Sequence, residues 1–249
     1  FPPALEHSKN FHAERTFWLR GRLIAENLRL SGIDVNCAPV GDIAQPETHH
    51  ILRNRCYGTD KSEVIINARA LNSGLRHGGI SGVLKHIPGH GRAKLDSHLV
   101  LPKVLLDQAV LEDTDFSVFK EFKDMDMGMT AHLIFDQLDP NNPATQSATI
   151  INMIRNKIGF KGLLITDDIS MKALAGNLNT RALKALDAGC DIVLHCNGDL
   201  QEMKLLHQNC RELAGASLDR AKLAINNRPT PVSIDILRLK EEFESLLNE

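Results

Sequence analysis

The chain has 249 residues, of which 43% are hydrophobic and 24% charged, and its net charge at neutral pH is −2. This length and composition predict one large globular domain. Acidic and basic residues are balanced without a long run of one sign, so a nucleic-acid-binding or polybasic membrane surface is not expected. We therefore expect the partner to be a small molecule.

The cysteine pattern indicates a reducing compartment. The five cysteines show no CxxC spacing and several lie in apolar runs, which predicts reduced core thiols rather than disulfides or zinc ligands. The sequence shows neither a signal peptide nor a stretch of about 20 apolar residues, and we expect a cytoplasmic location. Because the first residue is Phe1 rather than Met, we also expect a segment upstream.

Segments with helical spacing of apolar residues alternate with short apolar runs that are typical of buried strands. Breaks at Gly32, Pro39 and Gly189 separate some of them. In chain order, the pattern predicts helix 17–31, strand 33–40, helix 61–77, strand 80–84, helix 105–123, strand 127–135, helix 150–158, strand 159–168, helix 179–188, strand 190–198 and helices thereafter. Such alternation predicts parallel βαβ units.

Polar side chains at the strand ends favour a barrel over an open sheet. A TIM barrel collects catalytic groups from many strand ends, whereas an open sheet binds its ligand at one switch point. The sequence predicts about five strands where a closed barrel needs eight, so we expect a TIM-type (β/α)8 barrel whose first strands lie upstream of Phe1. The polar strand ends are Asp42, Lys85, His86, His132, Asp167, His195 and Asn197.

Two groups of residues are candidates for catalysis. Asp167 ends an apolar strand, where a carboxylate is costly unless it is used or paired. Its neighbour Asp168 should point to the opposite side, and both could instead be N-caps of a helix that begins near Ser170. In the loop 85–102, Asp96 and His98 lie two residues apart in an extended segment, so the carboxylate can orient the imidazole for acid–base chemistry.

The remaining polar residues allow alternatives. Arg55 and Lys85 could hold substrate oxygens or form ion pairs. The histidines of the loop and of the strand ends could instead bind a metal. The GHG sequence is too short for a phosphate-binding loop, because the Lys-Ser/Thr that follows such a loop is absent. The histidines in question are His86, His90, His98 and His132.

Several motifs resemble those of glycoside hydrolase family 3, and within it the bacterial β-N-acetylglucosaminidases of peptidoglycan recycling. They include KHIPGHG, DSH and LP in the loop 85–102, and ITDDISMKAL at residues 165–174. FPP, APVGDI, NRCYG, TAHLIF and AGCDIVLHCNG follow the same order, so the resemblance extends from Phe1 to about Gly198. It implies a single catalytic domain over residues 1–249 that continues upstream.

The resemblance implies a role for each matching residue. Asp167 matches the catalytic nucleophile, His98 the histidine general acid/base, and Asp96 the partner that tunes this histidine. Substrate-binding positions around N-acetylglucosamine correspond to Arg55, Lys85 and His86. No metal and no cofactor are implied.

The implied activity is retaining exo-hydrolysis of terminal N-acetylglucosamine from muropeptides, through a glycosyl-Asp intermediate. Two alternatives remain, a metal-dependent amidohydrolase that uses the histidines and a sugar-binding fragment without catalysis. Two features depart from the family. Many members have Asp-Thr where this chain has Arg92-Ala93, and the DQEGGR-type segment with a sugar-binding aspartate and arginine would precede Phe1.

Overall fold

The computed structural model describes residues 1–95 and 100–249. Seven strands lie within these ranges: β1 (Val35–Asn36), β2 (Ser81–Ile87), β3 (Lys103–Val104), β4 (Met127–Thr130), β5 (Ile134–Phe135), β6 (Leu163–Asp168) and β7 (Ile192–Leu194). The helices in the same ranges are α1 (Ala4–His7), α2 (Ala13–Leu30), α3 (His50–Arg53), α4 (Lys61–His77), α5 (Gln108–Asp113), α6 (Asp115–Lys120), α7 (Ala148–Met153), α8 (Leu178–Ala188), α9 (Leu200–Asn209), α10 (Gly215–Asn226) and α11 (Ile236–Leu247). A 3₁₀ turn (Ala144–Gln146) precedes α7, and a π-helical turn (Ile154–Ile158) follows it.

The main sheet has five parallel strands in the order β1-β2-β4-β6-β7. Each strand lies beside its predecessor in this sheet, with helices in the connections, and the order never reverses. A doubly wound sheet reverses direction at a switch point, whereas a TIM barrel continues in one direction. The prediction of a TIM-type fold is therefore confirmed as a part-barrel, to which the described residues contribute five strands.

The carboxyl ends of all five strands meet at one edge, because the strands are parallel. β3 and β5 form a separate two-stranded parallel sheet. In the chain, β3 follows β2 and β5 follows β4. Buried residues from the strands and the surrounding helices form the largest core cluster, which includes Phe17, Leu84, Phe119 and Leu164. This core fixes the strand ends on which the site is built.

α2 and α4 pack closely against each other. A Cβ at Gly21 would overlap the carbonyl of Leu71, and a Cβ at Gly74 would overlap the carbonyl of Trp18. Glycine at both positions thus lets the two backbones approach closely. α4 begins at the N-cap Asp60, whose carboxylate accepts hydrogen bonds from the two N–H groups at residues 62 and 63.

Several elements differ in the structure from their predicted bounds. The predicted helix 105–123 is split at Thr114, whose hydroxyl lies within hydrogen-bonding distance of the carbonyl of Val110 and of the carboxylate of Asp115, at 2.7 and 2.8 Å. The predicted strand 127–135 ends at Thr130, and β5 pairs with β3 instead of the main sheet. The prediction that a helix begins near Ser170 was wrong, because residues 169–177 form turns before α8.

All five cysteines are free thiols, but only two of them are core residues. Cys56 and Cys190 are buried, whereas Cys37 and Cys196 are exposed and Cys210 is half-buried. The expectation of core thiols was therefore wrong for Cys37 and Cys196, because each lies just beyond the end of its strand. Across residues 1–95 and 100–249, none of the helices combines the length and the apolar character needed to cross a bilayer.

Candidate active site

A pocket of about 250 Å³ lies at the carboxyl ends of the main-sheet strands. Catalytic groups of TIM-type folds are found at this end of the strands. A larger groove of about 580 Å³ lies elsewhere, along the sides of α2 and α4, and has none of the strand-end residues in its lining. The smaller pocket is therefore the candidate active site, and its lining comprises Cys37, Leu52, Arg55, Lys85, His86, His90, Met129, Asp167, Asp168, Met171, Leu194 and Cys196.

Asp167 reaches the pocket from the end of β6, and its side chain is 19% exposed. One carboxylate oxygen accepts a hydrogen bond of 2.8 Å from the N–H of Asp168. Burial alone would raise the pKa of Asp167, but the electrostatic interaction with the rings of His86 and His132 and this N–H outweigh burial, so the pKa lies below its ordinary value. Asp167 is thus held as an anion that can act as a nucleophile.

His86 lies between two carboxylates and a guanidinium. Its Nδ1 is 2.7 Å from the buried carboxylate of Asp42, and its Nε2 is 3.9 Å from Asp167. The Nη2 atom of Arg55 is 3.2 Å from the same Nε2. Arg55 and His86, two of the three predicted substrate-binding residues, therefore lie together beside Asp167.

Lys85 lies in the same pocket, one residue before His86 on β2. Burial and the nearby charge of Arg55 lower the pKa of Lys85, while the carboxylates of Asp167 and Asp42 oppose this effect. Since a lysine ammonium has donors only, Lys85 is suited to bind hydroxyl or carbonyl oxygens of a ligand. The structure thus brings Arg55, Lys85, His86 and Asp167 together in one pocket.

His132, two residues beyond the end of β4, supports the end of β6. It is fully buried, with Nδ1 2.8 Å from the hydroxyl of Thr145 and Nε2 3.0 Å from the carbonyl oxygen of Asp168. An Nε2–H can donate to that carbonyl while Nδ1 accepts from the hydroxyl. This arrangement fixes the backbone at Asp168, next to the candidate nucleophile.

Asp168 holds the turn after β6 rather than capping a helix. Its carboxylate accepts hydrogen bonds from the N–H and the hydroxyl of Ser170, at 3.0 and 2.7 Å. It also accepts from the N–H of Cys196 beyond β7, at 3.1 Å. The carboxylate therefore joins two strand ends, which leaves Asp167 as the acidic residue of this pair that is free for chemistry.

The loop that carries the predicted acid–base pair is anchored at its beginning. Arg92 donates to the buried carboxylate of Asp115 at 2.6 Å, and the carbonyl of Ala93 accepts from the N–H of His49 at 2.9 Å. Arg92-Ala93, which differs from the common Asp-Thr, thus fixes the loop to α6 and to the segment before α3. Asp96 and His98 themselves lie outside the described residues, so their roles stay predictions.

The chain belongs to glycosyl hydrolase family 3. This assignment rests on the family model for the glycosyl hydrolase family 3 N terminal domain, which matches residues 1–226. It confirms the family that the loop and TDD motifs indicated.

Curated relatives of this family are similar over much of the chain. A protein named beta-hexosaminidase from Methylobacillus flagellatus is 35% identical over 205 residues, which cover 80% of this chain and 58% of the relative. A second beta-hexosaminidase, from Nitrosospira multiformis, is 33% identical over 238 residues, covering 92% of this chain and 66% of the relative. The chain thus spans about three fifths of the length of these relatives.

Solved structures of the family have the same fold. NagZ from Neisseria gonorrhoeae, in complex with N-trifluoroacetyl-D-glucosamine, superimposes with a TM-score of 0.77 at 30% identity, covering 95% of this chain and 69% of that protein. A family 3 β-N-acetylglucosaminidase from Paenibacillus sp. has a TM-score of 0.83 at 24% identity, over 98% of this chain and 51% of that protein. The latter similarity concerns the fold alone.

Two features of the site are not evident from the sequence of this family 3 chain. Asp42 was noted as a polar strand end, but its contact with His86 joins residues that are 44 positions apart, and no local pattern reports such a contact. His90 was considered as a metal ligand, yet both its ring nitrogens lack a hydrogen-bond partner within the described part of the protein. Burial lowers the pKa of His90 to about 4, so this histidine is neutral near pH 7. In the described ranges, no three His, Cys, Asp or Glu side chains converge as metal ligands would.

Proposed function

We propose that residues 1–249 form a catalytic domain of a retaining exo-β-N-acetylglucosaminidase. The observation that carries this proposal is the position of Asp167, an anionic carboxylate at a strand end in a pocket with three cationic or donor side chains. A carboxylate nucleophile needs a preformed site where the sugar oxygens are held by donors. Arg55, Lys85 and His86 are the residues that we assign to this task.

The proposed reaction has two steps. Asp167 attacks the anomeric carbon and forms a glycosyl ester, while His98 gives its proton to the departing glycosidic oxygen. His98 then removes a proton from water, which attacks the same carbon and releases both the sugar and the carboxylate. An imidazole with an ordinary pKa of about 6.5 can serve as the acid and then as the base near neutral pH. Asp96 is proposed to orient the imidazole.

Named relatives support the choice of sugar. The Neisseria gonorrhoeae NagZ structure contains an N-acylated glucosamine, and both curated relatives carry the name beta-hexosaminidase. We therefore propose terminal N-acetylglucosamine as the unit removed and muropeptides of peptidoglycan recycling as the substrates. A cytoplasmic location is part of the same proposal, and the five free thiols support a reducing compartment.

The proposal is tested by trapping the intermediate. The protein is incubated with a slow fluorinated β-N-acetylglucosaminide, and the labelled peptide is identified by mass spectrometry. We expect the label on Asp167 and its loss in Asp167→Asn, which keeps the size and one acceptor oxygen. Asp168→Ala should keep a label on Asp167 while lowering the free energy of unfolding, because Asp168 joins the ends of β6 and β7.

Other outcomes would contradict specific parts of the proposal. A label on any residue other than Asp167 would remove it as the nucleophile. Binding of N-acetylglucosamine without hydrolysis of a chromogenic β-N-acetylglucosaminide would indicate a sugar-binding protein. Abolition of turnover by EDTA, with recovery on adding zinc, would indicate a metal-dependent hydrolase.

A further inference from the structure

Asp42 is a buried carboxylate beneath the active-site pocket that the proposed reaction does not use. The residue is 2% exposed and follows β1 in the chain. One of its oxygens accepts from the backbone N–H groups of His86 and His90, at 3.3 and 2.7 Å. The other is 2.7 Å from Nδ1 of His86. Each oxygen thus faces specific donor positions, so the orientation of the carboxylate is determined.

The pKa of Asp42 is lowered to about 2, which makes it an anion near neutral pH. Burial by itself would raise this pKa, but the hydrogen bonds from the His86 ring and from the backbone N–H of His90 outweigh burial. An ionised carboxylate can only accept hydrogen bonds. Nδ1 of His86, which faces it, must therefore carry a hydrogen.

The other ring nitrogen of His86 faces a group with the opposite property. Nη2 of Arg55 lies 3.2 Å from Nε2, and a guanidinium can only donate. An imidazolium would direct an N–H at this guanidinium, so the contact requires a neutral ring with one donor and one acceptor nitrogen, and Nε2 is the acceptor. Asp42 and Arg55 therefore require the same tautomer, in which Nδ1 is protonated and Nε2 has a free lone pair.

We propose that Asp42 is a positioning residue that holds His86 in the Nδ1–H tautomer and thereby presents Nε2 to the pocket as a hydrogen-bond acceptor. This inference rests on the proposed function, because it takes a sugar as the ligand of the pocket. Nε2 then accepts from Arg55, or from a sugar hydroxyl that enters beside Asp167. The opposite tautomer would direct an N–H of His86 toward the N–H of Arg55, which cannot accept a hydrogen bond. The same N–H would face Asp167, 3.9 Å away, and its attraction for the carboxylate charge would make Asp167 a weaker nucleophile.

The substitution Asp42→Asn should invert the tautomer. The oxygen that accepts two backbone N–H groups has to remain an oxygen, so the new amide NH₂ replaces the oxygen that faces Nδ1. An amide NH₂ can only donate. His86 would then accept at Nδ1 and carry its hydrogen on Nε2. The same substitution in the Ser-His-Asp triad leaves the geometry intact but selects the wrong tautomer.

The direct test is the ¹⁵N NMR spectrum of the histidine rings in protein labelled at histidine. Protonated and unprotonated ring nitrogens differ strongly in chemical shift, and the resonances of His86 are those missing from His86→Gln. We expect protonated Nδ1 and unprotonated Nε2 in the wild type, and the reverse in Asp42→Asn. The matched control is Asp60→Asn at the N-cap of α4, which should leave the His86 shifts unchanged.

The wild-type spectrum alone can overturn the proposal, because this measurement does not depend on whether a variant folds. A proton on Nε2 in the wild type refutes the assigned tautomer. A folded Asp42→Asn protein with an unchanged tautomer refutes the role of Asp42.

The activity assay separates this inference from the proposed function. With a chromogenic β-N-acetylglucosaminide we expect Asp42→Asn to lower kcat/KM by roughly 10- to 100-fold, the range seen when outer partners of metal-bound histidines are removed. An inverted tautomer with unchanged kcat/KM refutes the functional part of the inference. If the wild type itself lacks β-N-acetylglucosaminidase activity, the proposed function fails, whereas the tautomer result remains a separate finding about Asp42.

Discussion

Replacing Asp191 with alanine should destabilise the protein strongly, although the residue does not line the active-site pocket. Asp191 precedes β7, and its carboxylate is fully buried. It accepts hydrogen bonds from Arg155, Arg220, Ser217 and the backbone N–H of Leu164, at distances of 2.6–2.9 Å. This one carboxylate therefore connects β6, which carries the candidate nucleophile, to the π-helical turn and to α10.

The size of the effect follows from the groups that would be left without a partner. Removing one member of a buried ion pair typically costs about 3–5 kcal/mol, because the other charge remains buried and uncompensated. Here Arg155 and Arg220 are 18% and 25% exposed, so water can reach them partly. We therefore expect a loss near the lower limit, about 3 kcal/mol, which is a large part of the roughly 5–15 kcal/mol by which domains are stable.

Urea denaturation monitored by circular dichroism measures this loss. The free energy of unfolding falls with urea concentration with a slope of about 2–3 kcal/mol per M, so a loss of about 3 kcal/mol in this free energy lowers the urea concentration at the unfolding midpoint by about 1–1.5 M. The matched control is Asp187→Ala, four positions earlier. Asp187 forms an ion pair with Arg211 in which both side chains are more than 60% exposed. Exposed pairs contribute about 0.2–1 kcal/mol, so the control should shift the midpoint by less than about 0.5 M.

Equal midpoint shifts for Asp191→Ala and Asp187→Ala would refute this reasoning. Such a result would mean that burial and the network of hydrogen bonds add nothing beyond a surface ion pair. A larger slope of unfolding free energy against urea concentration in one variant would instead show a change in the compactness of its unfolded or native state. The slopes of the wild type and both variants therefore have to be compared.

The destabilisation caused by Asp191→Ala should also depend on pH. Burial alone would raise the pKa of Asp191, but hydrogen bonds from its arginine and serine partners outweigh burial and lower it. The stabilisation is therefore complete above the unfolded carboxyl pKa of about 3.9 and is lost as the pH falls through the lower folded pKa. Urea midpoints should differ by a constant amount from pH 5 to 8 and converge in stronger acid, and a difference that persists there would contradict the assignment. Gly74→Ala should lower the free energy of unfolding by roughly 1–3 kcal/mol or more, because the new Cβ would overlap the carbonyl of Trp18. The control Ser73→Ala, on the exposed side of α4, should change this free energy by less than about 0.5 kcal/mol. Equal melting temperatures of the two variants would refute the close contact. For His98→Ala, we expect the first step with an activated nitrophenyl glycoside to suffer less than with a natural disaccharide, since a good leaving group needs no proton. Equal losses in pre-steady-state rates would argue against its role as the acid.

Local signals in the sequence determined the bounds of helices that are capped by residues next to their ends. α4 was predicted over residues 61–77, and the structure has it at Lys61–His77, because the Asp60 cap and Gly78 both act within one turn of the helix. α8 was predicted within one residue for a similar reason, since Asn177 caps its beginning and Gly189 ends it with a φ of +112°. Asp167 was located correctly at a strand end, because the apolar run before it is continuous.

Elements that depend on distant partners were not predictable in this way. Nothing near Thr114 in the sequence indicates that Arg92 will hold Asp115, and this contact accompanies the break between α5 and α6. The apolar run 127–135 has no internal signal that Ile134 will pair with Lys103 rather than continue the main sheet.

The same division applies to the active site. Motifs such as TDD and KHIPGHG are contiguous in the sequence. The sequence by itself therefore determines the residue types that carry the proposed chemistry, and it indicates the family. The tautomer of His86 is not local, since it depends on Asp42 and Arg55, which are 44 and 31 positions away. Which nitrogen carries a proton is decided by the donor or acceptor that faces it, and only the tertiary structure brings these groups within hydrogen-bonding distance.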